Sequence, residues 1–198
     1  MTSLTARWPW LWPLVRPGVR RFFSERADAW ESTTGAGSPE HLAAFAAGLL
    51  HVDGTPERVL DLGCGTGVST LMLAREYPRA SVRGVDISDR MIGVAKAKTG
   101  LDPQGRIAFR VADAARLPYA DESFDLVTQL NVPVFASEVA RVLRPGAYFL
   151  VATSKGSATP FHTDDRLLSD ALERSGLDLV QRGQAAGGEF TLARRAPR

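Results

Sequence analysis

Cysteine is nearly absent from this chain. A single one, Cys64, stands among 198 residues, which excludes an internal disulfide and any zinc site built from several cysteines. The three histidines, His41, His51 and His162, are scattered without metal-ligand spacing, so no metal is expected. No apolar run approaches the ~20 residues that a membrane-spanning helix needs. The opening residues mix Trp, Pro and Arg and lack the basic patch and smooth apolar core of a signal peptide. A net charge of +2 is too small to carry a strong nucleic-acid signal. What remains is the expectation of a cytoplasmic globular protein, and at this length residues 1–198 are expected to form one domain.

What is present is unevenly placed. Residues 1–30 hold five Arg against Glu25 and Asp28, and three Arg fall among the last five residues. Both ends are therefore basic and the middle acidic, a pattern that solvated ends explain. All four tryptophans (Trp8, Trp10, Trp12 and Trp30) lie within the first thirty residues. Pro9, Pro13 and Pro17 argue against a long helix before Val19. This Trp-rich segment fits a lid, ordinary packing against the rest of the chain or a dimer partner, or a peripheral membrane anchor. Ser38-Pro39-Glu40 then carries a helix N-cap, a first-turn proline and a first-turn acid. Leu42, Phe45, Ala46, Leu49 and Leu50 follow at helical spacing and give that helix one apolar face. Residues 1–55 are accordingly read as a helical lid region and 56–198 as an α/β core.

From residue 58 strands and helices alternate. The patterns predict strands at 58–62, 81–87, 107–111, 124–132 and 147–152. Between and after them helices are predicted at 68–77, 89–98 (capped by Ser88), through Phe135, Val139, Val142 and Leu143 up to Pro145-Gly146, and at 165–175. Two closing strands, 177–181 and 190–193, flank a turn at Gly187-Gly188 with no helix between them, so they form an antiparallel hairpin. The result is a doubly wound, Rossmann-like, mostly parallel sheet of seven strands. In such sheets ligands sit at the carboxyl ends of the strands, which places the glycine turn, Asp86, Asp113 and Asn131 on one rim.

The glycine turn lies in VLDLGCGTG, residues 59–67. A phosphate-binding P-loop needs Lys-Ser or Lys-Thr after its last glycine, and Val68-Ser69 stands there instead. Gly63, Gly65 and Gly67 are spaced GxGxG, one residue short of the dinucleotide fingerprint. Asp61, just ahead of the glycines, would repel a pyrophosphate and suits a ligand bearing an ammonium group. Asp86, 19 residues beyond Gly67, is placed to accept ribose hydroxyls, and Asp113 an adenine amino group. An ammonium-bearing amino acid, a ribose and an adenine without phosphate describe S-adenosylmethionine.

VLDLGCGTG, VRGVDIS, VADAARLPYADESFDLVT and EVARVLRPGAYFLVATS, in that order and spacing, resemble the class I S-adenosylmethionine-dependent methyltransferases. The nearest group is the broad type that includes quinone-biosynthesis and natural-product enzymes. The resemblance spans residues ~56–154 and implies roles for particular positions. Asp61, Gly63, Cys64 and Gly65 would surround the methionine part of the cofactor, and Gly67 would belong to the same cofactor-binding turn. Asp86 would take the ribose with Ile87 against the adenine, while Ala112, Asp113 and Ala114 would border the adenine ring. Gln129 and Leu130 would sit near the sulfonium. Two departures stand out: QLNVPVFASEVARVLRPG is several residues shorter than usual, trimming the acceptor side, and Gly146-Ala147 replaces the frequent Gly-Gly.

Other chemistry-bearing residues are less specific. Asn131-Val132-Pro133-Val134-Phe135 resembles the Asn-Pro-Pro-aromatic motif of amine methylation, but an extra valine and a missing proline make it a loop bordering the pocket. Cys64 has no evident base beside it and reads as a small packing residue. His162, in a loop after the fifth strand, is the candidate general base, set against the plainer reading of a surface histidine. Tyr119 packs. The resemblance implies methyl transfer to a small-molecule acceptor by in-line displacement. Its alternatives are a non-catalytic cofactor-binding or interaction protein, and a methyltransferase acting on protein or nucleic acid.

Overall fold

The computed structural model describes residues 11–197 apart from 101, 103 and 161. Trp8, Pro9 and Trp10, on which part of the lid reading rests, lie outside the described residues. Helix α1 spans Trp12–Arg26, followed by a short 3₁₀ turn and by α2, Trp30–Thr34. Helix α3, Pro39–Leu49, is capped by Ser38, whose side chain accepts the His41 N–H.

Helix α1 corrects the sequence expectation that prolines exclude a helix before Val19. Pro13 falls in the first turn, where its missing N–H costs nothing. Pro17 lies inside the helix and removes one backbone bond. Side-chain bonds from the same two turns, Trp12 and Arg16 to Asp113, hold that stretch in place from outside. Helix α3 is amphipathic as expected, though its buried face is Ala44, Phe45, Gly48 and Leu49. Leu50, expected on that face, is 82% exposed because the helix ends beneath it. Gly48 lets the helix lie close on the sheet, since a Cβ there would stand 2.4 Å from Leu150 Cδ1.

The core elements follow as β1 (Arg58–Leu62), α4 (Val68–Glu76), β2 (Ser81–Asp86), α5 (Asp89–Thr99), β3 (Ile107–Val111), β4 (Phe124–Leu130), α6 (Ala136–Val142), β5 (Leu143–Thr153), α7 (Asp165–Glu173), β6 (Leu177–Ala185) and β7 (Gly188–Arg195). They build one seven-stranded sheet in the order β3-β2-β1-β4-β5-β7-β6, parallel through β5, with β7 antiparallel to both its neighbours. Alternation sorts the side chains. Leu60, Leu62, Val127 and Phe149 pack towards α6 and α7, whereas Val59, Leu126, Tyr148 and Leu150 pack towards α3 and α4.

Several boundaries differ from the predicted ones. Strand β4 stops at Leu130 because Asn131 turns left-handed, at φ 57°. Leu143 is extended, so α6 ends at Val142 and β5 begins before Pro145-Gly146. A register shift between Phe124 and Leu126 in the facing strand accommodates those two residues. The last hairpin turns at Ala186-Gly187, both with positive φ, while Gly188 already belongs to β7. A second register shift, between Leu179 and Gln181, interrupts β6 at the edge of the sheet.

Candidate functional site

Strand order reverses between β1 and β4, and the crevice above their carboxyl ends is where a doubly wound sheet takes its ligand. Its floor is the glycine turn. Gly63, Gly65 and Gly67 have φ of 59°, 52° and 86°, a region that favours glycine. Nothing lies within 4 Å of where a Gly65 Cβ would be, so this backbone faces open space. Helix α4 starts at Val68, just past Gly67, and points its first-turn N–H groups towards the turn.

Asp61 lies beneath this turn. It is 0% exposed and takes hydroxyl hydrogen bonds from Ser69 at 2.7 Å, Thr70 at 2.6 Å and Thr128 at 3.1 Å. It ties β1 to α4 and β4, and it is not on the wall of the crevice. Burial pushes its carboxyl up to about 6 despite the three hydroxyls. Asp86, at the end of β2, does reach the wall. Its carboxylate accepts the Gly65 N–H at 3.0 Å and the Ser88 N–H at 2.8 Å. Burial raises its proton affinity against those N–H bonds. Each of its oxygens keeps a further lone-pair direction for a hydroxyl.

The roof is the N-terminal segment. Trp12, Val19, Phe23, Trp30, His41 and Leu42 face the glycine turn across an interior space of about 950 Å³, open solvent at the mouth included. Trp12 meets Phe135 edge-on with ring centroids 5.2 Å apart, and Phe23 meets Trp30 in the same way at 5.2 Å. A polar seam fastens the roof to the core. The Trp12 indole N–H donates to both oxygens of Asp113 (2.8 and 3.0 Å), and Arg16 reaches the same carboxylate at 3.1 Å. Arg20 pairs with Asp89 and Ser24 with Ser88. Arg90 pairs with Asp28, and Lys98 and Thr66 converge on Glu31.

Of the positions singled out from the sequence, the fold brings Gly63, Cys64, Gly65, Asp86, Ile87, Ala112, Ala114 and Leu130 to the wall of this one crevice. Asp61, Gly67, Asp113 and Gln129 are near it but do not line it. Asp113 is engaged by Trp12 and Arg16, and Gln129 donates to the Val132 carbonyl at 2.7 Å with its own amide oxygen buried and unpaired. His162 lies elsewhere, 3.2 Å from Glu189, in a separate cleft beside Thr163 and Arg182. Asn131 borders the crevice, but its amide exchanges hydrogen bonds with Ser154 (2.9 and 3.0 Å) and is not presented to a ligand nitrogen. His41 and Phe23 carried no signal in the sequence, and Leu42 signalled only the apolar face of its helix. They reach the site through packing between distant segments, which a local pattern does not register.

Among the described residues the wall carries no Lys and no Arg. A bound phosphate or pyrophosphate would there be stripped of water without a counter-charge, whereas a phosphate-free nucleoside meets Asp86 and an apolar slot. The donor set therefore fits the adenosine and amino-acid parts of S-adenosylmethionine.

A methyltransferase-domain family model matches residues 59–146, the stretch that builds the floor of the crevice. This stretch is a class I S-adenosylmethionine-dependent methyltransferase domain. Binding of S-adenosylmethionine or its demethylated product is typical of this family. The methyltransferase domain is 41% identical over 104 residues to the O-methyltransferase cnsE of Penicillium expansum, covering 48% of this chain and 37% of that protein. It is 36% identical over 140 residues to the ubiquinone/menaquinone biosynthesis C-methyltransferase UbiE of Desulfotalea psychrophila, covering 66% of this chain and 55% of that one. The chain thus spans between 37% and 55% of these two relatives' length. The same fold occurs in the [4+2]-cyclase SpnF, with a TM-score of 0.71 at 19% identity over 91% of this chain and 96% of that one. Among the described residues no helix is long and apolar enough to cross a membrane.

Proposed function

We propose that this protein binds S-adenosylmethionine in the crevice and transfers its methyl group to a small-molecule acceptor. The observation that carries this reading is the wall itself: a glycine turn, a carboxylate at the end of β2 and an apolar slot, with no Lys or Arg lining it among the described residues. Gly63, Cys64 and Gly65 would lie along the methionine part, Asp86 would take the two ribose hydroxyls, and Ile87, Ala112 and Ala114 would flank the adenine. Leu130 would face the methyl-bearing end. Asp61 and Gly67 would act from beneath, by fixing the turn, and Gln129 by holding the Val132 carbonyl. Asp113 would hold the roof over the adenine end.

The cofactor, when bound, supplies a sulfonium methyl group open to in-line displacement. The chain's own contribution is alignment and exclusion of water. The turn and Asp86 fix the donor, and the aromatic roof closes the space in which the acceptor must lie. A macromolecular acceptor has less support, because Arg16, Arg20 and Arg90, on the face around the roof, are each paired with an acid.

Calorimetric titration of the purified protein with S-adenosylmethionine and, separately, with NADH tests this reading. Binding of the first and none of the second is expected. Asp86→Ala should weaken the first by about 10- to 100-fold, the scale of a lost charged hydrogen bond. Preference for NADH, or indifference to the Asp86 change, would count against it.

A further inference from the structure

The wall of the crevice holds very few groups that ionise. Among the described residues they are Cys64, Asp86 and His41. Burial and the neighbouring carboxylates Asp86 and Asp61 push the Cys64 thiol up, which makes it a poor proton acceptor and a poor nucleophile. Asp86 is engaged by Gly65 and Ser88 at the end of β2. His41 differs from both. Its imidazole has no hydrogen-bond partner among the described residues; Ser38 engages its backbone N–H and not the ring. Burial, and then the charge of Lys155, lower its proton affinity, so it stands neutral with a free nitrogen lone pair at neutral pH.

Its place in the fold is as informative as its chemistry. Lys155, the charge that acts on it, lies just beyond the end of β5, and Asn131 is bonded to Ser154 in that same region. Gly37, immediately ahead of α3, stands over the Val68 side chain at the start of α4. His41 therefore overhangs the crevice where the glycine turn meets the ends of β4 and β5, away from the slot formed by Ile87, Ala112 and Ala114.

The remaining wall restricts what lies against it. Among the described residues no Lys or Arg lines the wall, and Lys155 acts on His41 only from beyond the lining, so a carboxylate or phosphate on the acceptor would lose its water without a direct ion-pair partner. An ammonium acceptor finds no free carboxylate on this side, and the Asn131 amide is closed by Ser154. Aromatic faces dominate instead: Trp12, Phe23, Trp30 and Phe135.

We propose that His41 is the base for the acceptor, and that the acceptor is an uncharged, largely apolar aromatic molecule methylated on a hydroxyl oxygen. The proposal rests on the crevice binding S-adenosylmethionine as set out above. A neutral hydroxyl is a weak nucleophile, so a base is needed. The imidazole nitrogen takes the hydroxyl proton, and an oxygen electron pair forms the new O–CH₃ bond. The C–S bond breaks with its electron pair leaving on sulfur, and the products are a methyl ether, imidazolium and the neutral thioether S-adenosylhomocysteine. The imidazolium then returns its proton to solvent.

The test offers the wild-type protein S-adenosylmethionine with a panel of phenols and naphthols, and with matched aromatic amines and carboxylates. Product is read by mass, and cofactor binding is measured in parallel by calorimetry. Methyl ethers from the hydroxyl panel are expected. Products from amines or carboxylates alone, or none at all while the cofactor still binds, would overturn the proposal. Loss of cofactor binding would instead overturn the reading on which it rests. His41→Gln should then lower kcat for 4-methoxyphenol by 10²- to 10⁴-fold, on the order expected for a lost general base. Its cofactor affinity should be unchanged. With 4-nitrophenol, which ionises readily without help, the same variant should lose less than about tenfold. Equal losses for the two phenols would make His41 a wall residue and sink its role as base.

Discussion

Asp61 precedes the glycine turn in sequence and sits under it in space. Its three hydroxyl donors come from two different elements, Ser69 and Thr70 on α4 and Thr128 on β4. That arrangement makes it a tie between elements, with its charge held in a dry position. Because its folded pKa of about 6 lies above the ordinary aspartate value, the native state holds a proton that the unfolded chain releases. Its contribution to stability is fully present below about pH 4 and is lost as pH rises through 6, a change on the order of 3 kcal/mol. Asp61→Asn should remove this component. Denaturant titrations of wild type and variant between those two pH values should show the wild-type stability falling more steeply with pH. Parallel slopes would place the ionisation of Asp61 elsewhere. The sequence showed this acid but not its role, because the role is defined by side chains 8, 9 and 67 residues away.

Helix α1 is an element whose presence depends on contacts far along the chain. Its own sequence, with Pro13 and Pro17, argues against it, and the expectation that failed was built on that local argument. Trp12, only 6% exposed, bonds Asp113 across 101 positions, and Arg16 does so across 97. Asp113→Asn keeps the side chain's size but abolishes the ion pair and one of the two acceptors. Amide exchange over residues 12–26 should then quicken by about 10-fold or more, while the central strands keep their protection. Uniformly faster exchange would mean that Asp113 supports the whole fold and not the roof. The partly exposed pairs Arg20–Asp89 and Arg90–Asp28 contribute little singly, so added salt should loosen the same helix more mildly. Elements governed by local rules were legible: Ser38 and Ser88 cap helices where expected, and the short aliphatic and β-branched runs of β1, β2 and β3 mark those strands closely. The roof's share of the site, His41 and Phe23 above all, was not legible, since it arises where α1 and α3 meet the glycine turn.

At the scale of the whole molecule, a ligand bridging floor and roof would couple the two. If S-adenosylmethionine occupies the crevice as proposed, adding it at about 100 times its Kd should stabilise the fold by about 2.7 kcal/mol. For a domain of this size that is roughly 5–10 °C in Tm, measurable by scanning calorimetry. Asp86→Ala at the same concentration should show a much smaller rise, and equal rises would separate the stabilisation from the crevice. The sheet has a further consequence at its rim. β6 is an edge strand that leaves Leu179 and Val180 about half exposed, and its ladder is broken between Leu179 and Gln181. A straight, greasy border would be a template on which a neighbouring chain adds itself strand by strand. Here the kink at Leu179 and the charges of Asp178 and Arg182 deny an incoming strand a continuous row of partners, so concentrated solutions of the protein should resist end-to-end polymerisation along this border.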